Sequence, residues 1–494
     1  MLADLNRLGP VVAVMVTAGL ILVADLMTPR DRKKWLAGLA VAGLGVAALW
    51  LVVLILRGRQ ASFYDDTMAL DNFSIFFTFL FIGVSGSVIL VSLDYSEKFG
   101  PRQGEFFALL LIATSGMMLL SGARDLVTIF VSLELTSITQ FVLAGLLRDD
   151  RGSEAALKYL LLGAVSSAVI LYGMAFLFGI SGTTHLISTN GSPSIAATIA
   201  SGDSGIRAAL IFSMVFLAAG FGFKMAIVPF QMWTPDVYQG APAPVAAFLS
   251  VGSKAAAFAV VLRIFFEGFG PHTFVGNDWK LLFAVLAAVS MTVGNLMALR
   301  QTNIRRMLGY SSIAQAGNFL VGVAAISSAS NGGTPLGASG VVFFLATYAF
   351  TNLGAFFAVI AISQRTASDE IADYAGMGRR APIPAAVLLF CLLSLTGLPP
   401  TAGFIAKIYI FNAAVQAHLV WLVIIAVLNT AISAFYYLGV ARQMYLGTAD
   451  AEPEIKSPIL TEGILVLAGL AVLTFGVYPI PLIEAAQRAV NVFA

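Results

Sequence analysis

Apolar residues run along this chain in long stretches, each separated from the next by a short polar connection. A helix rising ~1.5 Å per residue needs about 20 such residues to cross a hydrocarbon layer roughly 30 Å thick. Fourteen stretches meet that requirement, near residues 9–28, 35–56, 70–94, 104–121, 126–147, 155–180, 206–228, 242–266, 279–299, 306–327, 337–363, 382–411, 417–441 and 459–480. The first follows Arg7 and ends at Asp25, with the basic PRDRKK just beyond. It is longer than the core of a signal peptide and has no clear cleavage site, so it reads as a span. The pattern predicts an all-α polytopic membrane protein with about 14 transmembrane helices.

Two of the stretches carry their own breakers. In VPFQMWTPDVYQGAPAP, Pro229, Pro235, Pro242 and Pro244 each remove a helix donor, and Gly240 permits the turns between them. In SLTGLPPTAGFIAK, Gly397, Pro399, Pro400 and Gly403 precede Lys407. Unwound backbone at membrane depth is tolerated only where protein or water satisfies it. The breaks close two groups of about four spans, the fourth to seventh and the ninth to twelfth, and one further helix follows each. Paired interrupted helices in corresponding positions point to inverted repeats and to an ion site near the bilayer midplane. The expected organisation is a three-helix segment over 1–100, two inverted five-helix repeats over 101–268 and 269–446, each with a broken helix, and a C-terminal helix within 447–494.

Composition supports the membrane reading: hydrophobic residues make up 59% and charged residues 11%, too little polar surface to cover a soluble globule of 494 residues. A formal net charge of +2 without a long basic block gives no reason to expect a nucleic-acid partner. The single cysteine, Cys391, has no intramolecular partner, and His185, His272 and His418 are scattered without the spacing of a haem, zinc or iron–sulfur site. No cofactor is therefore expected in the chain. Loops after odd-numbered spans hold 16 basic residues and the opposite loops 7, so by the positive-inside rule both termini face outward. The polar loop Ser181–Ser204 falls on that outer side and reads as a simple connection.

Against this background the charges inside the spans stand out. Lys224 ends a run that is apolar from Ala208, Lys254 lies well inside the next run, and Lys407 sits beside the second break. Glu134 is alone in LVTIFVSLELTSITQFVLAGLL. A charge at the centre of a spanning helix costs roughly 2.5–3.5 kcal/mol on insertion scales, and such residues usually face a protein interior or a water-filled cavity. Burial disfavours the charged form of an amine or a carboxyl and pairing restores it, so making and breaking a Glu134–Lys224 pair would move protons. A lysine can release its proton in a way an arginine cannot. The plain alternatives are an ion pair fixing helix packing for Glu134 and Lys224, and a structural role for Lys254 and Lys407. Lys158, four residues after Glu154, reads equally as a surface pair or as a proton-uptake group. Arg263, four before Glu267, reads as a snorkelling anchor. Asp25, Asp125 and Asp236 read as interfacial or capping residues.

The segments around these residues are SLELTSI at Glu134, EAALKYLLLGAVSSAVILYG from Glu154, FKMAIVPFQMWTPDVYQGAPAPVAAFLSVGSKAAAF from Phe223, RRMLGYSSIAQAGN from Arg305, YAFTNLGAF from Tyr348 and LTGLPPTAGFIAK ending at Lys407. Together they resemble the antiporter-like membrane subunits of respiratory complex I, the proton-pumping NADH:quinone oxidoreductase. The resemblance is closest to the subunit N (subunit 2) type, because Lys407 stands where the M type has glutamate and the chain lacks the extra length of the L type. It places the family's central glutamate on Glu134 and its lysines of the seventh, eighth and twelfth helices on Lys224, Lys254 and Lys407. Many relatives have histidine where this chain has Gln315, which can hydrogen-bond but not titrate. The resemblance implies a proton-translocating subunit in which Lys224, Lys254 and Lys407 form a hydrated relay and Glu134 controls the charge of Lys224. NADH, FMN, iron–sulfur clusters and quinone would belong to partner subunits, among them antiporter-like neighbours and the quinone-proximal subunits. It further implies a bacterial inner (plasma) membrane, with both termini periplasmic. A subunit of a multi-subunit sodium/proton antiporter, or of a membrane-bound hydrogenase-type complex, resembles the same lysine pattern and remains the alternative.

Overall fold

The structure, a computed structural model, describes residues 2–29, 32–188, 191–202, 204–271, 273–325, 336–447 and 457–493; Arg30, His272, Lys456 and the tail of the tenth apolar run lie outside these. The chain begins with a short helix, α1 (Leu2–Arg7), and two apolar helices, α2 (Gly9–Met27) and α3 (Trp35–Leu56). A small antiparallel hairpin follows, β1 (Ala61–Phe63) and β2 (Met68–Leu70), in the register Ala61–Leu70, Ser62–Ala69 and Phe63–Met68. Its turn holds Tyr64, Asp65 and Asp66 at φ 51°, 52° and 63°, and nothing in the apolar pattern announced it. Next come α4 (Asn72–Phe99), α5 (Gln103–Gly122), α6 (Leu126–Ala144), α7 (Asp150–Ser181) and the short α8 (Ile195–Ala200).

Polar residues at the helix starts do what orphan N–H groups require. Asp71 forms a capping box with Ser74, Asp125 accepts from the N–H of Val127 and Thr128 at 2.9 and 3.0 Å, and Asp149 caps α7 through Gly152. Asp125 is thus a cap, as expected, while Asp25 pairs with Lys33 at 2.7 Å.

The first broken stretch is α9 (Arg207–Met225) followed by α10 (Trp233–Gly240). The next helix is continuous but not uniform: α11 (Ala243–Phe248), a π-helical stretch Leu249–Ser253, α12 (Lys254–Leu262) and a second π-helical stretch Arg263–Phe269. Every residue from Ala243 to Phe269 is buried, so this helix is the axis around which the others pack. Further along lie α13 (Gly276–Ala298), α14 (Ile304–Ala324), α15 (Leu336–Thr366) and the single turn α16 (Met377–Arg380). The second broken stretch is α17 (Pro382–Thr396) and α18 (Ala402–Gln416), and α19 (Val420–Leu446), α20 (Ile459–Val477) and α21 (Ile480–Val490) complete the chain. The last helix packs its Ala486, Ala489 and Val490 inward beside α4 and α15.

Among the described residues, eleven helical stretches are long and apolar enough to cross a membrane. The difference from the fourteen expected runs has three causes. The third and fourth runs join through Gly100–Arg102 into one stretch, Asn72–Gly122. The tenth, α14, carries Arg305, Arg306 and many small polar side chains, and the twelfth is two short halves.

Arg263 departs from its expected role. It does not snorkel: it is fully buried, with bonds to Asp71 at 2.8 and 2.9 Å, to Glu267 at 2.8 Å and to the Ser121 carbonyl at 2.6 Å. Arg124 closes the cluster, reaching Glu267 at 2.9 and 3.1 Å and Asp71 at 3.1 Å. Burial pushes the Asp71 carboxyl up, but Arg263 and Arg124 outweigh this and hold it below the usual carboxylate value. The i,i+4 spacing of Arg263 and Glu267 was visible in the sequence, whereas the second acid and second base come from α4 and the α5–α6 connection. Removing one member of a buried network leaves an uncompensated charge and typically costs ~3–5 kcal/mol. Arg263→Met is therefore expected to lower the thermal unfolding midpoint of the detergent-solubilised protein, and Lys34→Met, at an exposed position, is not; equal midpoints for the two would contradict the structural role of the cluster.

Candidate functional site

Three buried lysines and their neighbours line up through the middle of the helical core. Lys224 lies in the last turn of α9, which stops where Ala226 turns left-handed at φ 58° ahead of Pro229. The break is secured by side chains: the Trp233 indole donates to the Phe223 carbonyl at 2.9 Å, and Ser290 accepts from the Val228 N–H at 3.0 Å. The Lys224 ammonium is buried and has no hydrogen-bond partner among the described residues. It is surrounded by rings, with the centroids of Phe141, Tyr159 and Phe223 at 5.3, 5.4 and 5.9 Å, a distance at which a cation is attracted to the ring face.

Glu134, on α6, is half-buried and accepts a short hydrogen bond from Ser167 of α7. Glu134 and Lys224 are thus not a contact ion pair in this structure.

Lys254 opens α12, immediately after the π-helical stretch, and is 1% exposed. Its Nζ donates to the carbonyl and the hydroxyl of Ser312 on α14, at 2.6 and 2.7 Å. Three further side chains connect it toward Lys224: Ser253 and Tyr159 both donate to Gln140 Oε1 at 3.1 Å. A π-helical turn alters which residues face a neighbour and is frequent at functional sites; here it precedes the buried lysine directly.

At the second break, α17 ends at Thr396 and its last carbonyls have no helical donors. Lys407, in the second turn of α18, supplies them, donating to the carbonyls of Leu395 and Thr396 at 3.1 and 2.8 Å, with Thr430 Oγ1 at 3.4 Å. A cation at a helix C-terminus also meets the negative end of the helix dipole. Gly397 makes this possible: it sits at φ 88°, and a Cβ there would lie 2.9 Å from Lys407 Cδ. Gln315 donates to the same Leu395 carbonyl at 2.9 Å and accepts from Asn318 at 3.2 Å, so it shares an acceptor with Lys407.

Lys158 stands apart from this line. It pairs with Glu154 and Asp236, both at 2.7 Å, and Asp236 also holds Arg306 at 2.6 Å. These residues, with Arg151 and Gln239, line an open cleft of about 230 Å³. Asp236 is therefore the hub of a charge cluster and not simply an interfacial or capping residue. The pair with Glu154 follows from the i,i+4 spacing, but the second carboxylate comes from α10, across the break.

The structure thus gathers Lys224, Lys254 and Lys407 into one buried polar line, leaves Glu134 at its flank and puts Lys158 at a rim. Sequence reasoning missed Gln140, Tyr159, Ser253, Ser312 and Thr430, which join or hold the lysines. Their only signal is small polar or amphipathic side chains inside apolar runs. Among the described residues no group of three His, Cys, Asp or Glu side chains could hold a metal ion.

Comparison with known proteins bears on this geometry. The family described as "NADH:quinone oxidoreductase/Mrp antiporter, TM" matches residues 123–433, which include all five candidate residues. The chain is 43% identical over 484 residues to NADH-quinone oxidoreductase subunit N of Dehalococcoides mccartyi, covering 97% of this chain and 98% of that one. It superposes on a chain of respiratory complex I from Thermus thermophilus with a TM-score of 0.78 at 31% identity, covering 96% of this chain and 98% of that chain. A chain of the Mrp complex from Dietzia gives a TM-score of 0.84 at 18% identity, covering 99% and 97%, a likeness of fold alone.

Proposed function

Because the chain belongs to the NADH-quinone oxidoreductase subunit N family, we propose that it carries protons across the membrane for complex I through Lys224, Lys254 and Lys407. The supporting observation is that three lysines are buried at the core without a contact ion pair among the described residues, held by ring faces, backbone carbonyls and hydroxyls. An ion pair fixes a lysine in its charged form, whereas a lysine held by neutral dipoles has both forms within reach. Glu134 acts on this line through its field at Lys224, and Lys158 with its cleft is the side from which protons are taken up. The drive is quinone reduction in partner subunits, where NADH, FMN, iron–sulfur clusters and quinone are assigned. Its partners are the other membrane subunits of the complex.

The antiporter alternative is weaker: the likeness to the Mrp chain is one of fold, at 18% identity, against 43% for a subunit N. A division into inverted repeats over 101–268 and 269–446 agrees with a break in each half at α9–α10 and α17–α18. The chain is a polytopic membrane protein, and we place it in the bacterial inner membrane with both termini periplasmic, on the charge bias of its loops.

Two experiments test these assignments. Lys407→Ala is expected to lower NADH-driven proton transport into sealed inverted vesicles with the complex still assembled, and Lys407→Arg to leave it lowered, since arginine keeps the charge and scarcely releases a proton. Parental transport by the arginine variant would show that charge alone suffices. For orientation, the native Cys391 is buried, so single cysteines can be labelled against a quiet background. Lys34→Cys is expected to react from the cytoplasmic face and Ser201→Cys from the opposite one; labelling of both from one face would overturn the orientation.

A further inference from the structure

Between the Lys254 and Lys407 arms lies a group of buried hydroxyls contributed by four helices: Tyr238 on α10, Ser311 and Ser312 on α14, Tyr348 on α15, and Tyr437 on α19. On one side, Ser312 accepts from Lys254 at 2.7 Å and has Tyr238 and Tyr348 as polar neighbours. On the other, Gln315 and Lys407 share the Leu395 carbonyl at 2.9 and 3.1 Å. Tyr437 stands where the two meet. Its hydroxyl shares a short hydrogen bond with Ser311, the sequence neighbour of Ser312, and has Gln315 and Tyr436 as its other polar neighbours.

Gln315 on α14 closes the distance to Lys407 but its amide neither takes up nor releases a proton. A phenol does both. Tyr238 and Tyr348 have hydroxyls with no hydrogen-bond partner among the described residues, an arrangement that is unfavourable in a dry interior and is relieved when water reaches it.

We propose that Tyr437 is the proton relay between Lys254 and Lys407, with Ser312 and Tyr348 handing over from the Lys254 side. In one passage the Lys254 ammonium loses a proton and becomes the amine. Each hydroxyl accepts one proton and passes on its own, water carries the proton across the intervals that no hydrogen bond spans, at Tyr348 and between Tyr437 and Lys407, and the Lys407 amine gains one and becomes the ammonium. No hydroxyl changes its net protonation, so the step needs no co-reactant. The inference rests on proton transport along the lysine line and adds the group that bridges the interval between Lys254 and Lys407.

The test uses the whole complex in sealed inverted vesicles, reading proton transport per NADH oxidised, with assembly checked on native gels. Tyr437→Phe keeps the ring and removes the hydroxyl, and it is expected to assemble and to lose transport per NADH. Adding Gln315→His places an imidazole, which both accepts and donates a proton, beside the same groups, and it is expected to recover part of the loss; a purely structural defect has no reason to be repaired this way. Lys407→Ala serves as the reference. Parental transport in Tyr437→Phe alongside reduced transport in Lys407→Ala overturns the relay and leaves the lysine line standing. Parental transport in both overturns the line and the relay with it. Failure of Tyr437→Phe to assemble, or no recovery with Gln315→His, marks the phenol as a packing group and also overturns the relay.

Discussion

Three ammonium groups buried at the core of a membrane protein, with no carboxylate in contact among the described residues, are the constraint to which the surrounding structure answers. An isolated buried charge is far more costly than a buried polar group, so each must be met by fixed dipoles or induced charge. The chain meets them differently. Lys224 rests among the rings of Phe141, Tyr159 and Phe223, Lys254 is held by both oxygens of Ser312, and Lys407 by the unsatisfied carbonyls that end α17. The last arrangement explains why a helix is broken beside a lysine. An intact helix has no free carbonyl at membrane depth, and the break at Gly397 supplies two.

Away from this line, charge is used in the opposite way. Arg124, Arg263, Asp71 and Glu267 neutralise one another in a closed cluster, and Lys158, Asp236 and Arg306 are linked by contacts of 2.6 and 2.7 Å. Such paired groups fix helices in place. The lysines of the central line are held by neutral partners, which accept from a neutral amine as well as, more strongly, from an ammonium. Burial alone does not separate the two populations: the helix that carries Lys254 also carries Arg263 and Glu267 and is buried throughout, while Lys158 opens to a cleft.

Most of the architecture was legible in the amino-acid sequence, because a spanning helix must be apolar over its whole length and a charge within one is conspicuous. The runs at 9–28 and 35–56 correspond to Gly9–Met27 and Trp35–Leu56, and both broken helices follow from proline and glycine. What was not legible depends on contacts between distant segments. The hairpin at Ala61–Leu70 is too short to leave a pattern, and α21 follows the last span with mixed polarity. Arg263 looked like an anchor because its second carboxylate, Asp71, lies 192 residues away. Glu134 and Lys224 are not in contact, and the partner the carboxylate does have, Ser167 of α7, lies on a helix that the sequence does not link to it. Gln315 appeared only as a missing titratable group, whereas its amide shares an acceptor with Lys407, a geometry that composition cannot disclose.

The central claim is that protons pass through the buried lysine line, and Lys254, held by both oxygens of Ser312 and the most deeply buried of the three, is where it is most exposed to test. The decisive measurement is the number of protons moved per NADH oxidised by assembled complexes in which Lys254→Met keeps the length and apolar stem of the side chain but removes the amine. The account predicts a lower number than the parent with assembly intact. A parental number would mean that protons cross without Lys254, and the line could not be their route.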